Sequence, residues 1–171
     1  MENAKTLTDA EKAEYFRKSY TSVDGLWFMK VEELFGFDEA LEIDRLVWSI
    51  FPKIQARTLR SMLGEEKGID GLARCLAAKN SIEGFSFEVE TTEEGSGMRM
   101  IISKCPWREL MVKSGREALS ERVGTLICNV ENSTWAAEFE SDDQKISFSL
   151  KSQICKGNGV CTFCFEESKV P

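Results

Sequence analysis

The chain has 171 residues, of which 42% are hydrophobic and 30% charged, with a formal charge of −7, six cysteines and no histidine. That length suits one ordinary domain, and the composition excludes disordered and fibrous chains. The acidic balance opposes duplex nucleic acid and anionic membranes as partners. The missing histidine excludes Ser-His-Asp and Cys-His nucleophile pairs, His-ligated haem and HExxH zinc chemistry.

The polar opening Met1 to Thr6 does not read as a signal peptide, and no apolar run approaches the roughly 18 residues of a membrane span, so a cytoplasmic protein is expected. In a reducing cytosol the cysteines read as thiols or metal ligands rather than disulfides. Thr8-Asp-Ala-Glu11 is a capping box and predicts a first helix over Asp9 to Tyr20. Val23, Leu26, Trp27, Val31, Leu34 and Phe35 recur at helical spacing up to Gly36, and predict a second. Asp38 caps a third, carrying Leu41, Ile43, Leu46, Val47 and Ile50, with a kink or restart at Phe51-Pro52 and a resumption to Leu63. Ile69 to Lys79 forms a fourth, in which Cys75 reads as a buried apolar side chain.

From Gly84 the period changes from helical to alternating. Phe85, Phe87 and Val89 predict one strand, Thr91 to Gly97 a turn, and Met98 to Lys104 the returning strand. Pro106 suits the first position of a helix that continues through Leu126 with Gly115 as a weak point, and a short helix follows Cys128 through Trp135 and Phe139. Ile146 to Leu150 and Val160 to Glu166 predict a second hairpin. The expected fold is α+β: an antiparallel four-stranded sheet made of two β-hairpins, with helices packed on it and a helical N-terminal half. A single domain over residues 1–171 is expected, with a helical subdomain at about 8–80 and an α+β part at about 84–166.

Five cysteines lie at or beyond Cys105, and four of them fall at expected element ends. Cys105 follows the second strand, Cys128 ends a helix, Cys155 ends the third strand and Cys161 opens the fourth. Such ends can converge, and four thiolates suit Zn²⁺ or an iron–sulfur cluster. Gly157 and Gly159 give the Cys155–Cys161 turn the freedom of a knuckle whose amides approach a thiolate. On a regular strand Cys161 and Cys164 point to opposite faces, so Cys105, Cys128, Cys155 and Cys161 form the predicted ligand set with Cys164 in reserve. The competing reading is of core cysteines beside a tight hairpin.

The tail, an alternating strand leading to Cys155 and then Gly157-x-x-x-Cys161-x-Phe163, is similar to the closing motif of vinyl-reductase-like small-molecule-binding domains. Cys105-Pro-Trp followed after a helix by Ile127-Cys128 resembles the cysteine order of 2-amino-thiazoline-4-carboxylate hydrolases. Asp24-Gly-Leu-Trp-Phe, the stretch Phe35 to Asp44 and Ile54-Gln-Ala-Arg57 resemble an uncharacterised family of small cytosolic proteins from anaerobic microbes, related to those hydrolases. The resemblance implies a zinc at Cys128, Cys155 and Cys161 with one further thiolate or carboxylate, and a pocket between helices and sheet.

Glu131 and Glu138, seven apart, share a helix face and are candidates for a fourth ligand or a general acid/base; solvated surface is the plainer reading. Trp27 and Trp135 are candidate ligand contacts, and Arg57 offers a fork for a ligand carboxylate. The expected function is a metal-bearing small-molecule-binding or sensory module. The alternative is a hydrolase of a cyclic amidine or amide, in which a metal polarises water and Glu131 or Glu138 moves the proton. A small-molecule ligand is the expected partner, and a homodimer is compatible with this reading.

Overall fold

The computed structural model describes residues 6–92 and 96–170. The opening Met1 to Lys5 and the hairpin residues Glu93 to Gly95 lie outside the described residues. The chain divides into two compact units, Met1–Glu42 and Ile43–Pro171. Residues 43–80 fall within the second unit, together with the sheet.

The first unit is dominated by α1, Asp9–Phe35, a single helix where two were expected. The Thr21 hydroxyl folds back onto the carbonyls of Arg17 and Lys18, and Gly25 is tolerated inside the helix at a cost of about 1 kcal/mol. The capping box forms as predicted: the Glu11 amide donates to Thr8 Oγ1 at 3.2 Å and the Thr8 amide to Glu11 Oε2 at 2.8 Å. Gly36, at φ +94°, closes the helix. No side chain of α1 is buried, and Trp27 is 65% exposed.

Helix α2, Phe37–Trp48, crosses the boundary between the units. The restart at proline occurs as predicted, since α3, Phe51–Leu63, opens with Pro52 in its first turn and ends at the left-handed Gly64. Helix α4, Ile69–Glu83, runs one turn beyond the expected Lys79 and stops where Gly84 turns left-handed. Strands β1 (Ser86–Thr91) and β2 (Gly97–Lys104) form the first hairpin, and β3 (Gln144–Ser152) and β4 (Cys161–Lys169) the second. The sheet is antiparallel in the order β1-β2-β4-β3, so the α+β expectation holds.

Between the hairpins, α5 (Pro106–Lys113) ends before Gly115, which takes φ +72°. A single 3-10 turn at Glu117–Leu119 leads into α6, Ser120–Glu138. Gly115 thus breaks the predicted long helix, whereas nothing breaks the chain after Cys128. Asn129 and Asn132 donate from their side chains to the carbonyls of Thr125 and Cys128 four residues back, so they stay compatible with the helix.

The inner sheet face carries Met98, Met100 and Ile102 from β2, Phe163 and Phe165 from β4, and Ile146, Phe148 and Leu150 from β3. Leu72, Cys75 and Leu76 of α4 and Trp135, Ala136 and Phe139 of α6 join it in one core. Burying each large apolar side chain there contributes roughly 1.5–3 kcal/mol, which fixes the helices over the sheet. Cys75 is fully buried, as its reading as a core residue requires.

Candidate thiol site

The strand register brings the cysteines to one edge of the sheet. Cys161 pairs with Ile102, three residues before Cys105, and Thr162 pairs with Ser152, three residues before Cys155. The end of β2, the start of β4 and the end of β3 are therefore neighbours. Helix α6 crosses β3 on the inner side and supplies Cys128. Two placements differ from expectation: Cys128 lies mid-helix, and Cys155 sits in a 3-10 turn, Ile154–Lys156, beyond the strand. The strand ends beside Cys105, Cys155 and Cys161 stay neighbours, because that depends on register rather than on where each element ends.

Burial pushes the Cys128 thiol well above its ordinary pKa, and the charges of Glu131, Cys105, Cys161 and Cys155 push in the same direction. Cys105 is pushed up to about 11 by burial, against the opposing amides of Arg108 and Trp107 at the start of α5, with Cys161 and Lys79 as charged neighbours. Burial also raises Cys161 and Cys155. The Cys105, Cys155 and Cys161 thiols all lie within electrostatic reach of Cys128. As the side chains stand, no group of three or more Cys, Asp or Glu among the described residues could hold a metal ion.

Local devices shape the edge. The Ile154 amide donates to Cys161 Sγ at 3.2 Å, the amide-to-sulfur contact expected of a knuckle. Gly157 takes the left-handed conformation, at φ +84°, but Gly159 does not. A Cβ at Gly124 would stand 3.0 Å from Cys155 Sγ, so the bare glycine makes the seat in which that thiol rests. Gln153, 3% exposed, accepts from the Thr125 hydroxyl at 3.1 Å through Oε1, while its buried Nε2 has no hydrogen-bond partner. Cys164 occupies the other face of β4, opposite Arg99 and Ser149, as the alternation predicts.

A buried ionic group, absent from the sequence reading, adjoins the thiols on the inner side. Lys79 of α4 donates to Glu131 of α6 at 2.5 Å and lies 3.1 Å from Glu83 Oε2, out of hydrogen-bond alignment with it. The side chains of Lys79, Glu83 and Glu131 are 6%, 7% and 12% exposed. Gln55 of α3 donates to Glu83 at 3.1 Å, and the Lys79 ammonium stands 5.3 Å from the centre of the Phe85 ring. Burial favours the neutral form of Lys79, yet the two carboxylates outweigh it and hold the lysine charged. Burial raises Glu131, Lys79 opposes that shift, and Glu83 adds to it. The signal was present at Leu72, Cys75, Leu76, Lys79 and Glu83, which follow one helical stripe.

The remaining candidates separate. The Arg57 fork closes on the protein's own Glu138, at 2.6 and 2.9 Å, so both residues leave the site together. Arg60 fastens the same corner by donating to the Glu138 carbonyl. Glu131 alone of the two carboxylates faces the thiols. Trp135 is fully buried against Phe139, with its indole N–H unpartnered, and Trp27 lies exposed on α1.

The profile of a family of unknown function (DUF6125) matches residues 9–146. That span includes Lys79, Cys105, Cys128 and Glu131 and stops before Cys155 and Cys161. No curated protein matches the chain. Among solved structures, a trafficking protein particle complex subunit 3 from Naegleria fowleri, covalently bound to palmitic acid, is similar with a TM-score of 0.54 at 7% identity, over 91% of this chain and 96% of that one. This likeness concerns the fold alone.

Proposed function

The chain belongs to this family of unknown function, and from the site itself we propose a small-molecule-binding or sensory module built on a cysteine-ligated metal. The observation that carries the reading is the gathering of Cys105, Cys128, Cys155 and Cys161 in one neighbourhood at one sheet edge. The donor chemistry fits a soft ion: thiols on a sheet-and-helix frame, an amide already on Cys161 Sγ, and a carboxylate beside Cys128. Zinc is the expected ion, and an iron–sulfur cluster is the alternative for the same sulfurs. When bound, the ion would replace the thiol protons and supply Lewis acidity.

The ligand would be a small molecule lying against the inner side, where Lys79, Glu83 and Glu131 are among the polar groups. In the trafficking subunit of similar fold the covalent ligand is palmitic acid, which supports this frame as one that holds small molecules. That subunit belongs to a complex, and a homodimer is part of the proposal here. No described helix is long and apolar enough to cross a membrane.

A second reading, hydrolysis of a cyclic amidine or amide, draws on Glu131. It is the carboxylate that neighbours Cys128, and it is the natural proton carrier, while Glu138 is engaged by Arg57. Metal analysis of protein purified without oxygen tests the common ground of both readings. About one equivalent of zinc or iron is expected, and less than about 0.2 equivalents with freely titrating thiols would remove the metal site.

A further inference from the structure

We propose that α1 is a self-association surface, and that its seam of Phe16, Tyr20, Val23, Trp27, Lys30 and Leu34 packs antiparallel against the same seam of a second copy of this chain. The inference gives the homodimer of the reading above its surface, and it rests on that reading for the dimer alone, not for the metal. Along α1, Phe16, Val23 and Lys30 recur every seven residues, and so do Tyr20, Trp27 and Leu34. The two series alternate at spacings of four and three, the pattern by which helices pack along their length. Phe16, Val23, Trp27 and Leu34 are each between 65% and 76% exposed.

The order of the seam decides what covers it. Read backwards, it sets Phe16 against Leu34, Tyr20 against Lys30 and Val23 against Trp27 of the second copy. Every aromatic ring then meets a side chain of another kind: Phe16 an aliphatic one, Trp27 the small Val23, and Tyr20 an ammonium that suits its face. Parallel pairing in register would oppose each bulky residue to itself and set Lys30 against Lys30, a like-charge contact that costs affinity. Leu26, also exposed, lies one residue from the centre of the seam and meets its own copy across the two-fold axis. Such a contact is isologous, so it closes at two copies and adds no third.

The seam is also large enough. From Phe16 to Leu34 it runs roughly 27 Å along the helix. Withdrawing about 100 Å² from water at each of Phe16, Val23, Leu26, Trp27 and Leu34 removes roughly 1,000 Å² over the two copies, the size at which a specific interface begins.

Sedimentation equilibrium of the full chain tests this. The wild type is expected at twice the 19.3 kDa chain mass. Trp27→Glu, near the centre of the seam, should weaken dimerisation by at least about a hundredfold while the helical circular dichroism stays unchanged. Orientation is read at the seam ends. Phe16→Lys and Leu34→Glu should each weaken the dimer, and the double variant should be at least about tenfold tighter than the two losses combined would give. In it the introduced ammonium faces the introduced carboxylate of the second copy, and the two are too far apart to pair within one chain. A dimer that persists in Trp27→Glu would overturn this surface and leave the homodimer standing. Additive losses in the double variant would overturn the antiparallel order. A wild-type monomer at about 100 µM would overturn the inference and the homodimer together, whatever the metal content.

Discussion

Helices α1 and α6 both carry apolar residues at helical spacing and differ in what they bury. Helix α1 has 27 residues and buries none of them, although Val23, Leu26, Trp27, Leu34 and Phe35 follow a helical stripe. Helix α6 has 19 and buries Ile127, Asn132, Trp135 and Ala136 together with most of Glu131. Local devices on α1 include its capping box and the short-range pairs of Glu14 with Arg17 and Lys18 and of Lys30 with Glu33. What holds α6 arrives from distant sequence, through Lys79, Arg57 and the strands. A helical stripe therefore establishes the helix, and in α6 partners far along the chain fix what it buries.

The contrast can be broken most forcefully at Lys79. Lys79→Met leaves Glu83 and Glu131 buried without their cation, and should destabilise the second unit by about 3–5 kcal/mol in denaturant unfolding. A loss of less than about 1 kcal/mol would mean that water reaches the group and the ionic site is not closed. At α1 the expected effect is smaller and local. Thr8→Ala removes the cap and should cost about 1 kcal/mol of helix stability, seen as faster amide exchange in the first turns of α1 with α6 unaffected. Exchange that rises equally in both helices would join what the comparison separates.

The smallest effect belongs to the Arg57–Glu138 corner. Hydrogen bonds from Arg57 hold the Glu138 carboxyl below its ordinary pKa despite partial burial. A lowered carboxyl contributes stability that is present above its unfolded value and is lost as pH falls through its folded one. Arg57 is 65% exposed, so solvent screens the pair and little is at stake. Glu138→Gln should lower stability slightly at neutral pH, and the difference from wild type should vanish in acid. A difference that grows in acid would reverse the sign of this coupling.

Much of the fold was legible because its punctuation is local. Pro52, Gly64 and Pro106 stop or start helices where the sequence says they should, and alternation marks both hairpins. The two helices expected before Gly36 proved to be one, since Thr21 and Ser22 only weaken a helix and do not end it. At the site, the neighbouring strand ends beside Cys105, Cys155 and Cys161 were readable from the two hairpins, and so was the opposite facing of Cys164. Lys79 and Glu83 were not read, although they continue the Leu72–Leu76 stripe. A charged residue ordinarily signals the surface, and their partners Gln55 and Glu131 lie 28 and 52 residues away. Arg57 shows the converse: its fork was visible, but not that Glu138, 81 residues on, would fill it.

The central claim, that the thiols at this sheet edge hold a metal ion, is tested most directly by X-ray absorption at the zinc edge of protein purified without oxygen. The account predicts a first shell dominated by sulfur, reduced by one sulfur in Cys128→Ser and unchanged in Cys164→Ser. A shell of oxygen and nitrogen only, or one that keeps all its sulfur in Cys128→Ser, would contradict it.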